Sequence, residues 1–323
     1  MASLLDPLNV KNLTLRNRIV MPPMHTGLAS INGEVTNEMI EHYMEHSVNL
    51  GLLIVEHSYV SIDGKYSARQ LGSHDDKLIS GLEKLATSVH EVNTPIVLQI
   101  NHLGAKPSKD LIGIDPISPS AIGDVREIRI QEMDRIVENY ALAADRAIKA
   151  GFDGVEIHGA HGYLLNQFYS PLTNRRKDKY GGSLDNRTKF PLEVVNRVRE
   201  KIRDKLLLYR LGSVDLDKKG TQIDDSKQFA KRLEVAGVNI LDISGGICGH
   251  LPPEFQGRQG FFIPQAESIK KVIKIPVIGV GGIKESLFAD MLIRNEKVDL
   301  VAIGRELIKD PDWSSKAIRS LSN

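Results

Sequence analysis

The sequence predicts an α/β fold: a single (β/α)8 TIM barrel with long loops after the carboxyl ends of its strands. Three observations carry this prediction. Short apolar runs alternate with longer amphipathic segments along all 323 residues, there are eight such runs, and two long Gly/Pro-rich segments each follow a run. Eight parallel strands are the number that closes such a barrel. The alternative is an open doubly wound sheet, which usually begins with a Gly-rich turn after its first strand. The first run here continues instead as VMPPMHTG.

The predicted strands are short, rich in β-branched residues and nearly continuous in apolar character. Strands with this pattern are buried on both faces, as in a parallel sheet. In chain order they are 18–22, 52–56, 96–100, 153–157, 206–211, 239–244, 276–280 and 298–303. With one core formed from all eight, we expect one domain over residues 1–323.

Helices are predicted between the strands, at 36–49, 76–91, 131–149, 186–204, 225–236, 264–273 and 284–294, with a last one at 312–320. Several follow residue types that cap helix amino termini: Thr36 or Asn37, Asp185, and Asp225 or Ser226. Gly51, Gly151 and Gly237 stand where helices end before the next strand.

Two segments are longer than the short loops that connect strands and helices in a simple β/α repeat. Residues 103–130 are rich in Gly, Pro, Ser and Asp and predict a long loop ending in a hairpin, and residues 245–263 form a second long loop. Both follow a strand, so both belong to the barrel face that carries active sites. Long loops on this face are more often functional than decorative.

Composition narrows the class of protein. The 42 basic and 41 acidic residues give a net charge of +1, so no global charge favours nucleic acid or an anionic membrane. A single cysteine argues against disulfides, a multi-cysteine zinc site or a Cys-ligated iron–sulfur cluster. The first residues lack the basic start of a secretory signal, and no apolar run approaches the ~20 residues of a membrane helix. We expect a cytoplasmic enzyme.

Polar residues concentrate at the strand ends. Six of the ten histidines fall there or in the loops that follow, at positions 25, 57, 102, 158, 161 and 250. A lone histidine in such a place is more often structural, but the cluster indicates a site. His158 and His161 have a spacing that could bind a metal, yet no further ligand motif accompanies them. The favoured interpretation is two neutral imidazoles donating to one substrate oxygen, with no metal.

Three further features admit two interpretations each. Tyr163 is either a weak acid that protonates a substrate or a packed tyrosine. Arg210, in a buried strand, pairs either with Glu156 or Asp242 or with an electron-rich ligand, and we favour the ligand. Glycine-bearing turns after strands seven and eight either serve tight turns or bind phosphate, as many barrels do there. Phosphate binding is favoured because the turns are adjacent: they contain Gly281, Gly282, Gly304 and Arg305.

The segment 158–195 reads HGAHGYLLNQFYSPLTNRRKDKYGGSLDNRTKFPLEVV. It closely resembles the Old Yellow Enzyme family of FMN-dependent ene-reductases, also called NADH:flavin oxidoreductases. Further matching segments follow the family order along nearly the whole chain: NRIVMPPM (17–24), GLLIVE (51–56), IVLQINHLG (96–104), LYRL (208–211), VIGVGGI (277–283) and VDLVAIGRELIKDPDW (298–313).

The resemblance implies FMN at the barrel mouth and NADH or NADPH as the reductant. It implies that Gln99 bonds the pyrimidine edge of the flavin and that Arg210 stabilises its anionic reduced form. His158 and His161 would bind the carbonyl oxygen of an α,β-unsaturated substrate, and Tyr163 would protonate its α-carbon. The remaining residues that the resemblance places against FMN are Pro22, Pro23, Met24, His25, His57, Gly281, Gly282, Gly304 and Arg305.

The sequence departs from the family at four positions. His25 replaces the usual Cys or Thr, His57 replaces a small residue, Gly27 replaces a tyrosine of one subgroup, and Ala105 replaces the Arg of an HxGR pattern. We hypothesise that a protonated His25 near the flavin raises its potential. Larger relatives add an iron–sulfur site, which a chain with only Cys248 is not expected to hold.

Two other functions stay open. One is an NAD(P)H oxidase or electron-delivery flavoprotein, although such a role needs neither the paired histidines nor Tyr163. The other, more distant, is a metal-dependent barrel hydrolase. Within the favoured function, a small enone and an enoyl- or dienoyl-CoA are both candidate substrates. The physiological substrate, the choice of NADH or NADPH, the oligomeric state (relatives often form homo-oligomers) and the role of loop 103–130 are not determined by the sequence.

Overall fold

The computed structural model describes residues 2–322. Its strands are β1 (Leu8–Val10), β2 (Leu13–Leu15), β3 (Ile19–Met21), β4 (Leu52–Tyr59), β5 (Ile96–Asn101), β6 (Ile117–Ser118), β7 (Arg126–Glu127), β8 (Gly154–Gly159), β9 (Leu206–Gly212), β10 (Ile240–Ser244), β11 (Val277–Gly279) and β12 (Leu300–Ala302). Eight of them close a parallel barrel in the order β3, β4, β5, β8, β9, β10, β11, β12 and back to β3. The predicted TIM barrel is confirmed, and each predicted barrel strand overlaps an observed one.

The α-helices are α1 (Asn37–Ser47), α2 (Ile79–Glu91), α3 (Lys109–Ile112), α4 (Ile130–Lys149), α5 (Leu164–Tyr169), α6 (Leu184–Ile202), α7 (Ile223–Val235), α8 (Ile263–Lys270), α9 (Ser286–Arg294), α10 (Arg305–Lys309) and α11 (Trp313–Leu321). Short 3₁₀ turns span Ile62–Gly64, Asp76–Leu78 and Pro253–Phe255. The sequence did not predict α3, α5 or α10, whose four to six residues are too few to show a helical period.

Alternate residues of the strands enter two separate apolar clusters, which explains their continuous apolar character. Val20, Leu52 and Ile54 belong to the smaller cluster, which also contains Val10 and Leu15 of β1 and β2. Their neighbours in sequence belong to the larger cluster shared with the surrounding helices. The antiparallel pair β1–β2, which the sequence did not predict, therefore contributes to the smaller cluster.

Two predicted helix starts need correction. Thr36 caps α1 as predicted, accepting from the Met39 amide at 3.2 Å. The cap of α6 is Ser183 rather than Asp185, because its hydroxyl lies within 3.3 Å of the Asn186 amide. The cap of α7 is Gln222, and Asp225 accepts from its backbone N–H at 3.4 Å in a reciprocal capping box. An offset of two to four residues changes which polar side chain meets the free amides at the start of a helix, and composition alone does not resolve it.

The predicted hairpin in residues 103–130 is wrong in its pairing. β6 and β7 pair in parallel, with Ile117 opposite Arg126. Only a tight turn between Ile122 and Val125 is antiparallel. The two strands have two residues each, so alternating character could not distinguish the pairings.

Candidate active site

The carboxyl ends of the eight strands converge on one face, and the sequence-predicted residues collect there. β4 is irregular at this end: its pairing with β5 shifts register between Val55 and Ser58. The displaced residues are Glu56 and His57. Such irregularities change the direction of side chains at the rims of barrels. This one places His57 at the mouth of the barrel.

A half-open cleft with about 660 Å³ of empty space lies across β3, β9, β10, β11 and β12. Seven of the predicted cofactor residues line it: Pro22, Met24, Arg210, Gly281, Gly282, Gly304 and Arg305. His250, one of the six histidines whose clustering indicated a site, also lines it, and so do Ser244, Phe261 and Lys284, which were not predicted to be site residues. Pro23 is buried beside the cleft and does not line it.

The glycine turn after β11 is shaped by close backbone contacts. Gly281 has φ +122°, and a Cβ there would lie 2.9 Å from the Phe261 amide nitrogen. A Cβ on Gly282 would lie 2.7 Å from the Arg258 carbonyl oxygen and 3.2 Å from a guanidinium nitrogen of Arg305. Only glycine leaves this concavity open, so the backbone itself is available to a ligand.

Arg305 gives that concavity its charge. Within residues 2–322 its guanidinium forms no ion pair, and it lies against the bare backbone of Gly282. The cleft's Glu306, by contrast, accepts from Lys309 at 3.0 Å. A free guanidinium beside exposed backbone is a suitable site for a phosphate, so these residues fit the phosphate of FMN.

Arg210 contacts one of its two predicted carboxylate partners and also lines the cleft. Its Nε lies 3.1 Å from the carboxylate of Asp242, without the alignment of a hydrogen bond, and the same side chain lines the cleft. Next to this pair, Gln99 donates to Glu156 at 2.7 Å. Burial raises the pKa of Glu156 well above its usual range, and the charge of Asp242 adds to the effect. Burial also raises the pKa of Asp242, and the Arg210 guanidinium acts against this rise at both carboxyls. The cationic side of the Arg210–Asp242 pair faces the cleft.

His158, His161 and Tyr163 meet beside the cleft. Their rings are 4.8 Å apart (His158 to Tyr163) and 5.0 Å apart (His158 to His161). His158 Nδ1 accepts from the Ala160 amide at 3.3 Å, so the ring proton of the neutral form lies on Nε2. Burial lowers the pKa of both histidines well below the usual value, with the charge of Arg210 next in importance. Both are therefore neutral imidazoles at physiological pH.

The turn that carries His161 is held tightly. His161 has φ +58°, a conformation that non-glycine residues seldom adopt. Its amide donates to the Gly245 carbonyl at 3.1 Å, and its Nε2 lies 2.8 Å from the Ser244 hydroxyl. Lys106 donates to the carbonyl of His161 at 2.8 Å. Surrounding contacts thus impose the backbone strain, as is typical of functional sites.

His25 and His57 stack against each other on the other side of the histidine cluster, with ring centres 5.3 Å apart and planes 16° apart. His25 Nδ1 lies 3.2 Å from the Glu56 carboxylate, and its Nε2 lies 3.1 Å from the Ser67 hydroxyl. His57 lies 5.9 Å from the ring of Tyr163. These two histidines join the cluster of His158, His161 and Tyr163 rather than the lining of the cleft.

The structure thus brings twelve of the fourteen predicted site residues together in two adjoining groups, and Pro23 and Gln99 lie beside them. His250 connects them, since it lines the cleft and its ring lies 5.7 Å from that of His161. Glu56 ends the second predicted strand and was not predicted to be a site residue. Gln70, which contacts His57, gives no signal in sequence because it lies in an irregular loop.

Among residues 2–322, no group of three or more His, Cys, Asp and Glu side chains is arranged to hold a metal ion. Cys248 donates its thiol to the Val214 carbonyl at 3.2 Å, and burial raises the thiol pKa to about 11. It is an inert thiol in this setting.

A closed β/α barrel with a cationic cleft and a cluster of neutral imidazoles at its mouth defines a cofactor-dependent barrel enzyme. The profile of the NADH:flavin oxidoreductase / NADH oxidase family matches residues 3–323. The chain belongs to this family, to which the Old Yellow Enzymes also belong.

Proteins of similar sequence support this family assignment. The chain is 42% identical to an NADH oxidase of Thermoanaerobacter brockii, over 97% of this chain and 50% of that protein. It is 37% identical to an NADPH dehydrogenase of a Geobacillus strain, over 98% of this chain and 94% of that protein. The chain therefore spans about half the length of the first relative and nearly all of the second.

Solved structures show the same fold. A 2-naphthoyl-CoA reductase matches with a TM-score of 0.92 and 26% identity, over 98% of this chain and 52% of its own. The Old Yellow Enzyme homologue of Zymomonas mobilis matches with a TM-score of 0.87 and 27% identity, over 99% of this chain and 93% of its own.

The chain is accordingly a member of a family of FMN-dependent oxidoreductases that use NADH or NADPH. No helix within residues 2–322 is long and apolar enough to cross a membrane.

Proposed function

We propose that this enzyme reduces the C=C bond of α,β-unsaturated carbonyl compounds at the expense of NAD(P)H. The observation that carries the proposal is the triangle of His158, His161 and Tyr163, in which two neutral imidazoles and one phenol have ring centres no more than 6.3 Å apart. Electron delivery alone would need none of these groups.

The imidazoles bind and polarise the substrate. His158 presents its Nε2–H because its Nδ1 already accepts a backbone hydrogen bond. If the Ser244 hydroxyl donates to His161 Nε2, the proton of that ring lies on Nδ1, and it too is a donor. Two neutral donors at one carbonyl oxygen stabilise the negative charge that develops there during reduction.

Tyr163 supplies the proton. Burial raises its pKa to about 12, so the phenol is protonated at neutral pH and can donate to the α-carbon of the substrate. Lys106 Nζ lies 5.2 Å from the centre of the phenol ring and is a nearby positive charge for the phenolate left behind.

The cofactor residues hold FMN in place. The Gly281–Gly282 backbone and Arg305 would hold its phosphate, and Arg210 would compensate negative charge on its ring system. FMN, when bound, supplies the hydride chemistry of the reaction. The remaining predicted contacts, from Pro22, Pro23, Met24, His25, His57, Gln99 and Gly304, belong to the same proposal.

Two alternatives have specific support. The relative named NADH oxidase favours disposal of NADH electrons without an enone. The structural relative determined with 2-naphthoyl-CoA favours an unsaturated acyl-CoA as the substrate.

An anaerobic absorbance titration tests the proposal. Purified enzyme is reduced with NADH or NADPH and then mixed with cyclohexenone. We expect a flavin spectrum that bleaches and then returns with the enone. Bleaching without return for cyclohexenone and for an enoyl-CoA would contradict C=C reduction and support the oxidase. A colourless protein that FMN cannot reconstitute would contradict the assignment of the cleft.

A further inference from the structure

We infer that His57 is a third neutral hydrogen-bond donor at the barrel mouth, and that Gln70 is the positioning residue that fixes its tautomer. The inference concerns a residue that departs from the family pattern and a loop glutamine outside the predicted site. It rests on the proposed function only for the acceptor, which is a carbonyl oxygen bound beside the histidines.

The orientation of the Gln70 amide is fixed by its own partners. Its Oε1 accepts from the Tyr66 backbone N–H at 2.5 Å, which only an oxygen can do. Its Nε2 donates to the His57 carbonyl oxygen at 2.9 Å, which only a nitrogen can do. Two backbone groups of opposite type therefore determine which amide atom faces His57.

The second hydrogen on Gln70 Nε2 then determines the tautomer of His57. Gln70 Nε2 lies 2.7 Å from His57 Nδ1, and an NH₂ group has no lone pair to offer. His57 Nδ1 must accept, so it carries no proton. The ring proton of the neutral form lies on Nε2, and protonation of the ring would cost the bond to Gln70.

The surroundings keep His57 neutral. Burial lowers its pKa to about 3, with the charges of His25 and Arg210 acting in the same direction. Gln70 is fully buried and His57 is 7% exposed, so water does not compete for Nδ1. His25 stacks on the ring of His57, but its Nδ1 faces the Glu56 carboxylate. The Nδ1 atoms of the two imidazoles therefore face different partners, a carboxylate for His25 and an amide NH₂ group for His57.

The free Nε2–H belongs to the reactive cluster. The His57 ring lies 5.9 Å from Tyr163 and 6.4 Å from His158, and Nε2 has no partner within residues 2–322. Some side-chain nitrogen and oxygen atoms within residues 2–322 are both fully buried and without a partner, but His57 Nε2 is not one of them. It therefore remains accessible from the mouth, where a ligand oxygen can reach it.

The test begins with the tautomer, read in the holoenzyme by ¹⁵N NMR of selectively labelled histidine, with His57→Leu to assign the signals. We expect an unprotonated, imine-type Nδ1 in the wild type. In Gln70→Glu the group facing Tyr66 is still an oxygen, but the group facing Nδ1 becomes an acceptor. Nδ1 should then become protonated. A protonated Nδ1 in the wild type, or no change in Gln70→Glu, would overturn the inference.

Gln222→Glu is the matched control. Gln222 also donates through Nε2 to two backbone carbonyls, those of Asp217 and Gly220, but it contacts no histidine. It should lose a comparable pair of hydrogen bonds and leave the His57 signals unchanged.

The acceptor is then identified with His57→Leu, which fills similar space without a donor. Loss of one hydrogen bond corresponds to about a tenfold effect. A tenfold rise in the dissociation constant of cyclohexenone from oxidised enzyme would assign the acceptor to the substrate. A fall of about 30 mV in the flavin potential, the equivalent of tenfold, would assign it to the cofactor. No change in either would overturn the donor role. A normal tautomer result in an enzyme that fails to reduce enones would instead refute the proposed function alone.

Discussion

The two halves of the barrel mouth offer a ligand different kinds of groups. On the side of β4 and β8 lie buried imidazoles, each held by a backbone or side-chain partner, and the half-buried phenol of Tyr163. On the side of β11 and β12, glycines leave the backbone bare, and one exposed guanidinium supplies the charge. The first half is suited to proton and hydrogen-bond chemistry, and the second to holding a charged group without reacting with it.

This division makes the halves respond to different perturbations. The histidine half titrates and depends on side-chain identity. The glycine half relies on backbone groups and the Arg305 guanidinium, which do not titrate near neutral pH, and it depends on the absence of side chains at Gly281 and Gly282. Perturbations of each half should therefore leave the function of the other intact.

The largest effect is expected for Tyr163→Phe, which removes the proposed proton donor and little volume. Reoxidation of the reduced enzyme by cyclohexenone should slow by about 10² or more, because general acid catalysis contributes that much. Reduction by NAD(P)H should be almost unchanged, as stopped-flow absorbance of each half-reaction would show. Equal losses in both half-reactions would count against Tyr163 as the donor.

Gly281→Ala perturbs the other half. Its Cβ would lie 2.9 Å from the Phe261 amide nitrogen at a φ of +122°, so the turn must move. Strain of about 1–3 kcal/mol predicts a rise of about fivefold to 150-fold in the FMN dissociation constant, measured by flavin fluorescence quenching.

Gly151→Ala is the control for this change, because Gly151 also has a left-handed φ, +88°, but precedes β8 at the opposite end of the barrel. It should lower stability and spare FMN affinity. Equal FMN loss in both variants would remove the glycine half from cofactor binding.

The histidine half should also make stability pH-dependent. The pKa of His57 is lowered from 6.5 to about 3 by burial. Between these values the unfolded chain binds a proton that the folded protein does not, so stability is complete above about pH 6.5 and falls with falling pH. Each such group changes the free energy of unfolding by about 1.4 kcal/mol per pH unit.

Urea unfolding with excess FMN at about pH 5.5 and about pH 4.5 would measure this contribution. The wild type should lose about 1.4 kcal/mol more than His57→Leu over that interval. Identical losses in the two proteins would mean that His57 is not kept neutral by the fold.

The smallest effect is expected for His25→Ala. A positive His25 would raise the flavin potential, but the Glu56 carboxylate 3.2 Å away offsets its charge. The potential should fall by less than about 30 mV, the equivalent of 1.4 kcal/mol for two electrons. Spectroelectrochemistry from about pH 6 to pH 8 would test this, and an unchanged potential across that range would refute the hypothesis that His25 tunes the flavin.

Much of the architecture could be predicted because it depends on local patterns. The eight apolar runs specify eight strands, since each must bury both faces. Placement of Arg210, Gly281 and Gly304 on one face followed from the rule that parallel strands end together. Elements such as β6, β7 and α5 could not be predicted, because two to six residues carry too little periodicity.

By itself, the sequence determined the barrel, the face that carries the site and the types of residue available there. Only the tertiary structure decided which atom each residue presents. Gln70 selects the tautomer of His57, and Glu56 places a carboxylate beside His25, through contacts 13 and 31 positions away along the chain. The physical reason is that tautomer and charge depend on the partner of each nitrogen and on its burial, and the folded chain sets both.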